Sequence, residues 1–279
     1  MDSRIIMKYT GAGNNFIMIN NLDLKINNYE FIVRDLCAQN ENNEIDGVIF
    51  VETTMKADLK MNYFNRDGSS GSLCGNGLRC TVRYSLDEKL TKKTKLTVEA
   101  VDKIYGCEVV DEKNIRVEMP DPAIVNPSFK LKVNFGEWWE ELECAYVDCG
   151  SPHVVVFIDD IKNPRVKELS DVNIEEWGRN IRMHRDLMPE GANVNFVKIV
   201  GDDEMHARTF ERGVERETLS SGTGSISNAI IAYIKRNVNT PVKVLPKYGE
   251  YITINFSEKD FEAEGKIKYL TITGGANRI

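Results

Sequence analysis

Two short stretches could do chemistry: Cys74-Gly75-Asn76-Gly77 and Ser221-Gly222-Thr223-Gly224. Each sets a thiol or hydroxyl just before a Gly-rich turn that opens an apolar-periodic segment. The first backbone N–H groups of a helix lack internal partners. Together with the macrodipole they attract an anion such as a carboxylate. A cysteine placed there is expected to have its thiolate stabilised. One such turn is bland, because most Gly-rich helix starts are only turns. Two of them suggest a single carboxylate held between two helix N-termini, with positions 74 and 221 facing its α-carbon from opposite sides. Inverting an α-carbon needs a base on one face and an acid on the other. Backbone N–H groups on the carboxylate oxygens would stabilise the charge that develops on deprotonation. Neither pyridoxal nor a metal is then required.

The elements that must position these turns occur twice. Gly13-Asn14-Asn15-Phe16 before Ile17-Met18-Ile19 resembles Gly150-Ser151-Pro152-His153 before Val154-Val155-Val156. Asp46 to Val51 resembles Ala192 to Val197, and Phe64-Asn65-Arg66 resembles Phe210-Glu211-Arg212, both 146 residues apart. The ordered matches predict two similar halves: residues 1–120, to which a strand within 266–279 returns, and residues 121–265. Pro120-Asp121-Pro122 marks the boundary. Alternation predicts strands over Ile5–Tyr9, Gly47–Glu52, Lys60–Phe64, Asn114–Met119, Val194–Ile199 and Tyr251–Phe256. Helices follow Cys74 (Leu78, Val82, Leu86) and Ser221 (Ile226, Ala229, Ile230, Tyr233). The expected fold is α+β: two pseudo-symmetric halves, each a curved, mostly antiparallel sheet wrapped around a central helix. Trp138-Trp139 reads as a solvated edge.

Composition narrows the class. The chain has 279 residues, 42% hydrophobic, with a net charge of −7 and no basic stripe. A soluble globular protein is expected, with neither nucleic acid nor membrane as partner. No signal-peptide pattern opens the chain, so the cytoplasm is the expected location. Six cysteines form no CxxC pair. Cys80 reads as packing, and Cys37, Cys107, Cys144 and Cys149 as core or surface thiols. His153, His184 and His206 have no metal-ligand spacing, so no metal site is expected.

A longer series carries a resemblance. Tyr9 to Phe16, Asn65-Arg-Asp-Gly-Ser69, Leu73 to Cys80, Gly150-Ser-Pro-His153, Pro189 to Phe196, Phe210-Glu-Arg-Gly213 and Glu217 to Gly224 resemble, in order, the motifs of diaminopimelate epimerases. The resemblance implies two α/β halves with the active site in the cleft between them. It implies cofactor-free interconversion of L,L- and meso-diaminopimelate by two cysteines, in lysine and peptidoglycan-precursor synthesis, and a homodimer. Cys74 matches the first cysteine, and Ser221 stands where the second should be. Gly75, Asn76, Gly222 and Thr223 would hold the reacting carboxylate. Asn14, Asn65, Asn195 and Arg212 would grip the distal end, and Glu211 and His153 would flank the reacting centre. Asn15 replaces a more usual aspartate, Ser151 a frequent asparagine, and the match is looser at Arg216. A serine cannot act as a thiolate base near neutral pH, so impaired or absent epimerisation is expected. Position 221 is either a cysteine replaced by design or a native serine. The rival readings are a racemase or isomerase of another amino acid and a catalytically dead amino-acid-binding homologue.

Overall fold

A computed structural model describes residues 6–40 and 45–279 of the chain. Ile5, the first residue of one expected strand, lies outside this range. The chain divides into two compact units, Met1–Glu118 with Thr273–Ile279, and Met119–Ile272.

The first unit opens with β1 (Met7–Gly11) and β2 (Asn14–Asn21), followed by α1 (Tyr29–Ala38), β3 (Gly47–Glu52) and β4 (Leu59–Asn65). Helix α2 (Gly75–Asp87) precedes β5 (Lys95–Ala100), β6 (Lys103–Val109) and β7 (Asn114–Glu118). Strand β2 pairs antiparallel with β1 and parallel with β3. β4 pairs antiparallel with β3 and parallel with β5, and β6 continues antiparallel to both β5 and β7. All six residues of β3 are buried, as its continuous apolar run Val48-Ile49-Phe50-Val51 requires of a strand covered on both faces.

The second unit begins with the hairpin β8 (Ile124–Asn134) and β9 (Trp139–Asp148), then β10 (Pro152–Phe157), α3 (Ile174–Arg182), β11 (Asn193–Ile199), β12 (Glu204–Glu211) and β13 (Arg216–Thr218). Helix α4 (Gly222–Arg236) precedes β14 (Val242–Leu245), β15 (Ile252–Asn255) and α5 (Glu258–Glu264). The ladder is that of the first unit: β9 antiparallel to β10, β10 parallel to β11, β11 antiparallel to β12, β12 parallel to β14, β14 antiparallel to β15. The register repeats too. Val48 lies opposite Phe64, and Val194 lies opposite Phe210.

β16 (Thr271–Gly275) leads into β17 (Asn277–Arg278), which pairs antiparallel with β1.

Each sheet wraps its helix. Helix α2 packs on β1, β2, β3, β4 and β7, and α4 on β8 through β12, β14 and β15. Both helices are therefore buried on nearly every face, polar residues included. Thr81 and Ser85 satisfy their hydroxyls on the carbonyls of Gly77 and Thr81, at 2.9 and 2.7 Å. Ser225 and Ser227 do the same in α4, on Ser221 and Thr223. Such bonds back to the preceding turn let short hydroxyl residues sit inside a core helix.

Two expectations need correction. Trp138 is no solvated edge: its ring stacks on Phe135 at 4.9 Å and meets Trp177 edge-on at 5.4 Å. Only Trp139 is exposed. Among the described residues three helices also join the two foreseen, because α1, α3 and α5 are too short for their periodicity to stand out. No helix among the described residues is long and apolar enough to cross a membrane.

Candidate active site

In the first unit Cys74 caps α2. Its backbone is extended and its Sγ accepts the Gly77 N–H at 3.3 Å. The expected lowering of the thiol pKa does not follow. Burial raises it, and the N–H groups of Gly77 and Asn76 with the Arg79 guanidinium offset only part of that rise; Asp46 adds to it. Desolvation of the thiolate outweighs the helix N-terminus here.

Asn14 and Asn76, expected at opposite ends of a substrate, are bonded to each other. Asn76 Nδ2 donates to Asn14 Oδ1 at 2.6 Å, and Asn76 Oδ1 accepts from Arg79 Nη2 at 2.6 Å. Arginine can only donate, so Arg79 fixes which way the Asn76 amide points. Asn14 Nδ2 in turn donates to Asp46, which also accepts the Asn15 N–H at 2.8 Å. Arg79 is fully buried on α2. Sequence reasoning missed it and Asp46; the signal was a charged residue on the apolar face of a predicted helix. Asn65 closes β4, and its amide donates to Ser69 Oγ at 3.0 Å.

In the second unit Ser221 caps α4 as Cys74 caps α2, its Oγ accepting the Gly224 N–H at 3.1 Å. Serine is a strong N-cap, so the substitution suits the helix. Cys149 is the thiol beside this turn, but it does not replace the missing one. It is buried, donates to the Thr223 carbonyl at 3.4 Å, and is pushed up to about 11 by desolvation.

His153 is wholly buried behind the same turn. Its Nε2 lies 2.8 Å from Thr223 Oγ1 and 3.0 Å from Ser151 Oγ, and its Nδ1 lies 3.1 Å from Asn195 Nδ2. Ser151, in place of the frequent asparagine, thus joins the network. Asn195 is also fully buried and spends its amide on His153, the Val154 carbonyl and Thr209. Burial, with the Arg212 charge, holds the imidazole down to about 3. The unfolded chain therefore binds a proton at His153 below about pH 6.5 that the folded chain refuses. Stability falls as the solution is acidified from there towards pH 3. A His153→Gln protein is expected to lose that part of the acid limb, read from denaturant midpoints across the range.

Glu211 ends β12, opposite Arg216 of β13. Arg212 follows; its N–H donates to Asn193 Oδ1 at 2.9 Å and its Nη1 to the Glu190 carbonyl at 3.0 Å. It lines a cavity of about 550 Å³ with Tyr146, Asp148, Pro152 and Glu190. The loosely matched stretch before Arg216 is a turn: Glu215 takes a left-handed backbone and accepts from Arg182 at 2.8 Å. No group of three His, Cys, Asp or Glu side chains that could hold a metal occurs among the described residues.

Comparison with known proteins places the chain in a family. The family model described as diaminopimelate epimerase matches residues 6–125 and 145–271. A diaminopimelate epimerase of Chlorobaculum tepidum is 36% identical over 252 residues, covering 89% of this chain and 91% of that protein. One of Aquifex aeolicus is 34% identical, covering 98% and 94%. Among solved structures, a PhzF-family phenazine biosynthesis protein of Bacillus anthracis superposes with a TM-score of 0.72 over 98% of this chain and 96% of its own, at 18% identity; this shows the fold alone. The chain belongs to the diaminopimelate epimerase family.

Proposed function

We propose that the chain acts on the α-carbon of diaminopimelate without a cofactor, with Cys74 as the proton-transfer group on one face and Ser221 limiting transfer on the other. The observation that carries the reading is the repeated turn. Two helices open on Gly-x-Gly, each capped by a side-chain sulfur or oxygen that accepts the third residue's N–H, at 3.3 and 3.1 Å. At each turn the N–H groups that follow the cap are donors for a carboxylate. The carbanion formed at the neighbouring α-carbon spreads its charge onto that carboxylate, where those donors stabilise it. Cys74 removes the α-proton as thiolate and returns a proton as thiol. Ser221 holds a proton too tightly to accept one near neutral pH.

On this reading Gly75, Asn76, Gly222 and Thr223 hold the reacting carboxylate. Asn65 and Arg212 serve the distal end, and His153 and Glu211 support the reacting centre; Asn195, expected at the distal end, instead backs His153, and Asn14, expected there too, buttresses Asn76. The planar fork of Arg212 suits a distal carboxylate, which it would bind bidentately. Arg212→Lys is therefore expected to weaken diaminopimelate binding by about tenfold to a hundredfold, the loss of one charge-assisted hydrogen bond. Calorimetric titration reads it, with lysine, which lacks the distal carboxylate, as the control unaffected by the change. With the family reading go a cytoplasmic homodimer and a place in lysine and peptidoglycan-precursor synthesis.

The substrate is tested by α-proton exchange in D2O across L,L- and meso-diaminopimelate, lysine, proline and glutamate. Exchange confined to diaminopimelate supports the reading, and exchange of another amino acid alone replaces it with a different racemase. Ser221 itself favours one rival, a binding-only homologue. That rival predicts micromolar binding of diaminopimelate with no exchange at any pH.

A further inference from the structure

His153 hides a choice between two tautomers with opposite consequences for the turn in front of it. The neighbours decide between them. Asn195 Nδ2 lies 3.0 Å from the Val154 carbonyl, a group that can only accept. Asn195 Oδ1 lies 2.8 Å from Thr209 Oγ1, which donates to it. Turning the amide over would set two acceptors against each other at Val154, so Nδ2 is held where it is. That same Nδ2 points at His153 Nδ1 from 3.1 Å. A proton on Nδ1 would face the amide protons; a lone pair on Nδ1 accepts one. Gly224 packs closely on this amide: a Cβ there would stand 2.7 Å from Asn195 Oδ1.

We infer that Asn195, held by Val154 and Thr209, is a positioning residue that locks His153 as the neutral Nε2–H tautomer and thereby makes the Thr223 hydroxyl a donor at the first turn of α4. With the proton on Nε2, His153 donates to Thr223 Oγ1 across 2.8 Å. Ser151 Oγ, 3.0 Å away, donates to the same oxygen. Both lone pairs of Thr223 are then engaged, and its own proton is free to meet a carboxylate. In the other tautomer Nε2 would take the Thr223 proton, and the hydroxyl would turn lone pairs towards the anion it should bind. Asn193 does not compensate. Its Nδ2 is committed to the Pro152 carbonyl at 2.9 Å and stands 3.4 Å from Nε2, one donor beside another. His153 is on this account no proton carrier. Burial and the nearby Arg212 charge keep it neutral at physiological pH, in keeping with the lock.

The assignment of the carboxylate to this turn rests on the proposed function; the tautomer does not. The test therefore reads the tautomer first. In 15N-histidine-labelled protein, a His153→Gln spectrum identifies the His153 signals. The expected result is a protonated Nε2 and a bare Nδ1 that do not titrate between pH 5.5 and 8.5. A protonated Nδ1 in the unaltered chain, or titration in that range, overturns the inference. In Asn195→Asp the carboxylate can only accept, so Nδ1 gains the proton and His153 titrates near neutrality. Above that titration, diaminopimelate binding by calorimetry is expected to weaken about tenfold. A proton moved to Nδ1 in Asn195→Asp with binding unchanged would refute the role given to Thr223, and a proton that stays on Nε2 in that variant would refute the role given to Asn195.

Discussion

Replacing Cys74 by alanine is expected to lower α-proton exchange on diaminopimelate by about a hundredfold to ten-thousandfold, the worth of one positioned acid or base. The sulfur is the group in the α2 turn able to cycle a proton near neutrality. Asn14, Asn65 and Asn76 are amides, and Arg79 stays charged. The thiol starts from a raised pKa, so exchange should climb with pH as the thiolate forms. Folding should change little. The variant loses one cap bond, from Gly77 N–H to Sγ, worth about 0.5–2 kcal/mol. Binding of diaminopimelate should survive, because the N–H groups of Gly75 and Asn76 remain. Deuterium incorporation followed by proton NMR, beside a thermal melt, separates lost chemistry from lost fold.

The converse change, Ser221→Cys, is expected to raise the rate of stereochemical inversion by about a hundredfold or more. A thiol of pKa about 8.5 can exist as the thiolate base the second face lacks, and serine cannot. The backbone is ready for it: position 221 is extended and caps α4 as position 74 caps α2. Nearby Cys149 is too deeply buried to have substituted for it. The gain should appear in polarimetry or in separation of the stereoisomers. A small fall in melting temperature should accompany it, since sulfur replaces the better cap at Gly224 N–H.

Much of this was written in the residue types. The matched pairs Val48/Phe64 and Val194/Phe210 reappear as facing residues in equivalent ladders. Repeated apolar spacing marks a strand, its length and its neighbours. The Gly-x-Gly turns announced both helix starts, because small residues and a short polar cap serve few other local structures. What the sequence concealed depends on burial and direction. Cys74 was expected to be acidic from its place at a helix N-terminus; the enclosure that reverses the shift is a tertiary property. Asn195 looks the same on paper as Asn14, yet its amide lies behind His153 with every polar atom engaged inside the unit. Arg79 stood on the apolar face of the predicted helix, but nothing in its type told that the face would be wrapped and the guanidinium fully buried.

The most direct test follows the α-protons of L,L- and meso-diaminopimelate in D2O, with the Ser221 chain beside Ser221→Cys. A lone thiol reaches an α-proton from one side only. The Ser221 chain should therefore exchange the reacting centre in one configuration, with retention, and invert it far more slowly than Ser221→Cys does. Equal inversion by both proteins would contradict the role given to Ser221, and absence of exchange in both would contradict diaminopimelate as the substrate.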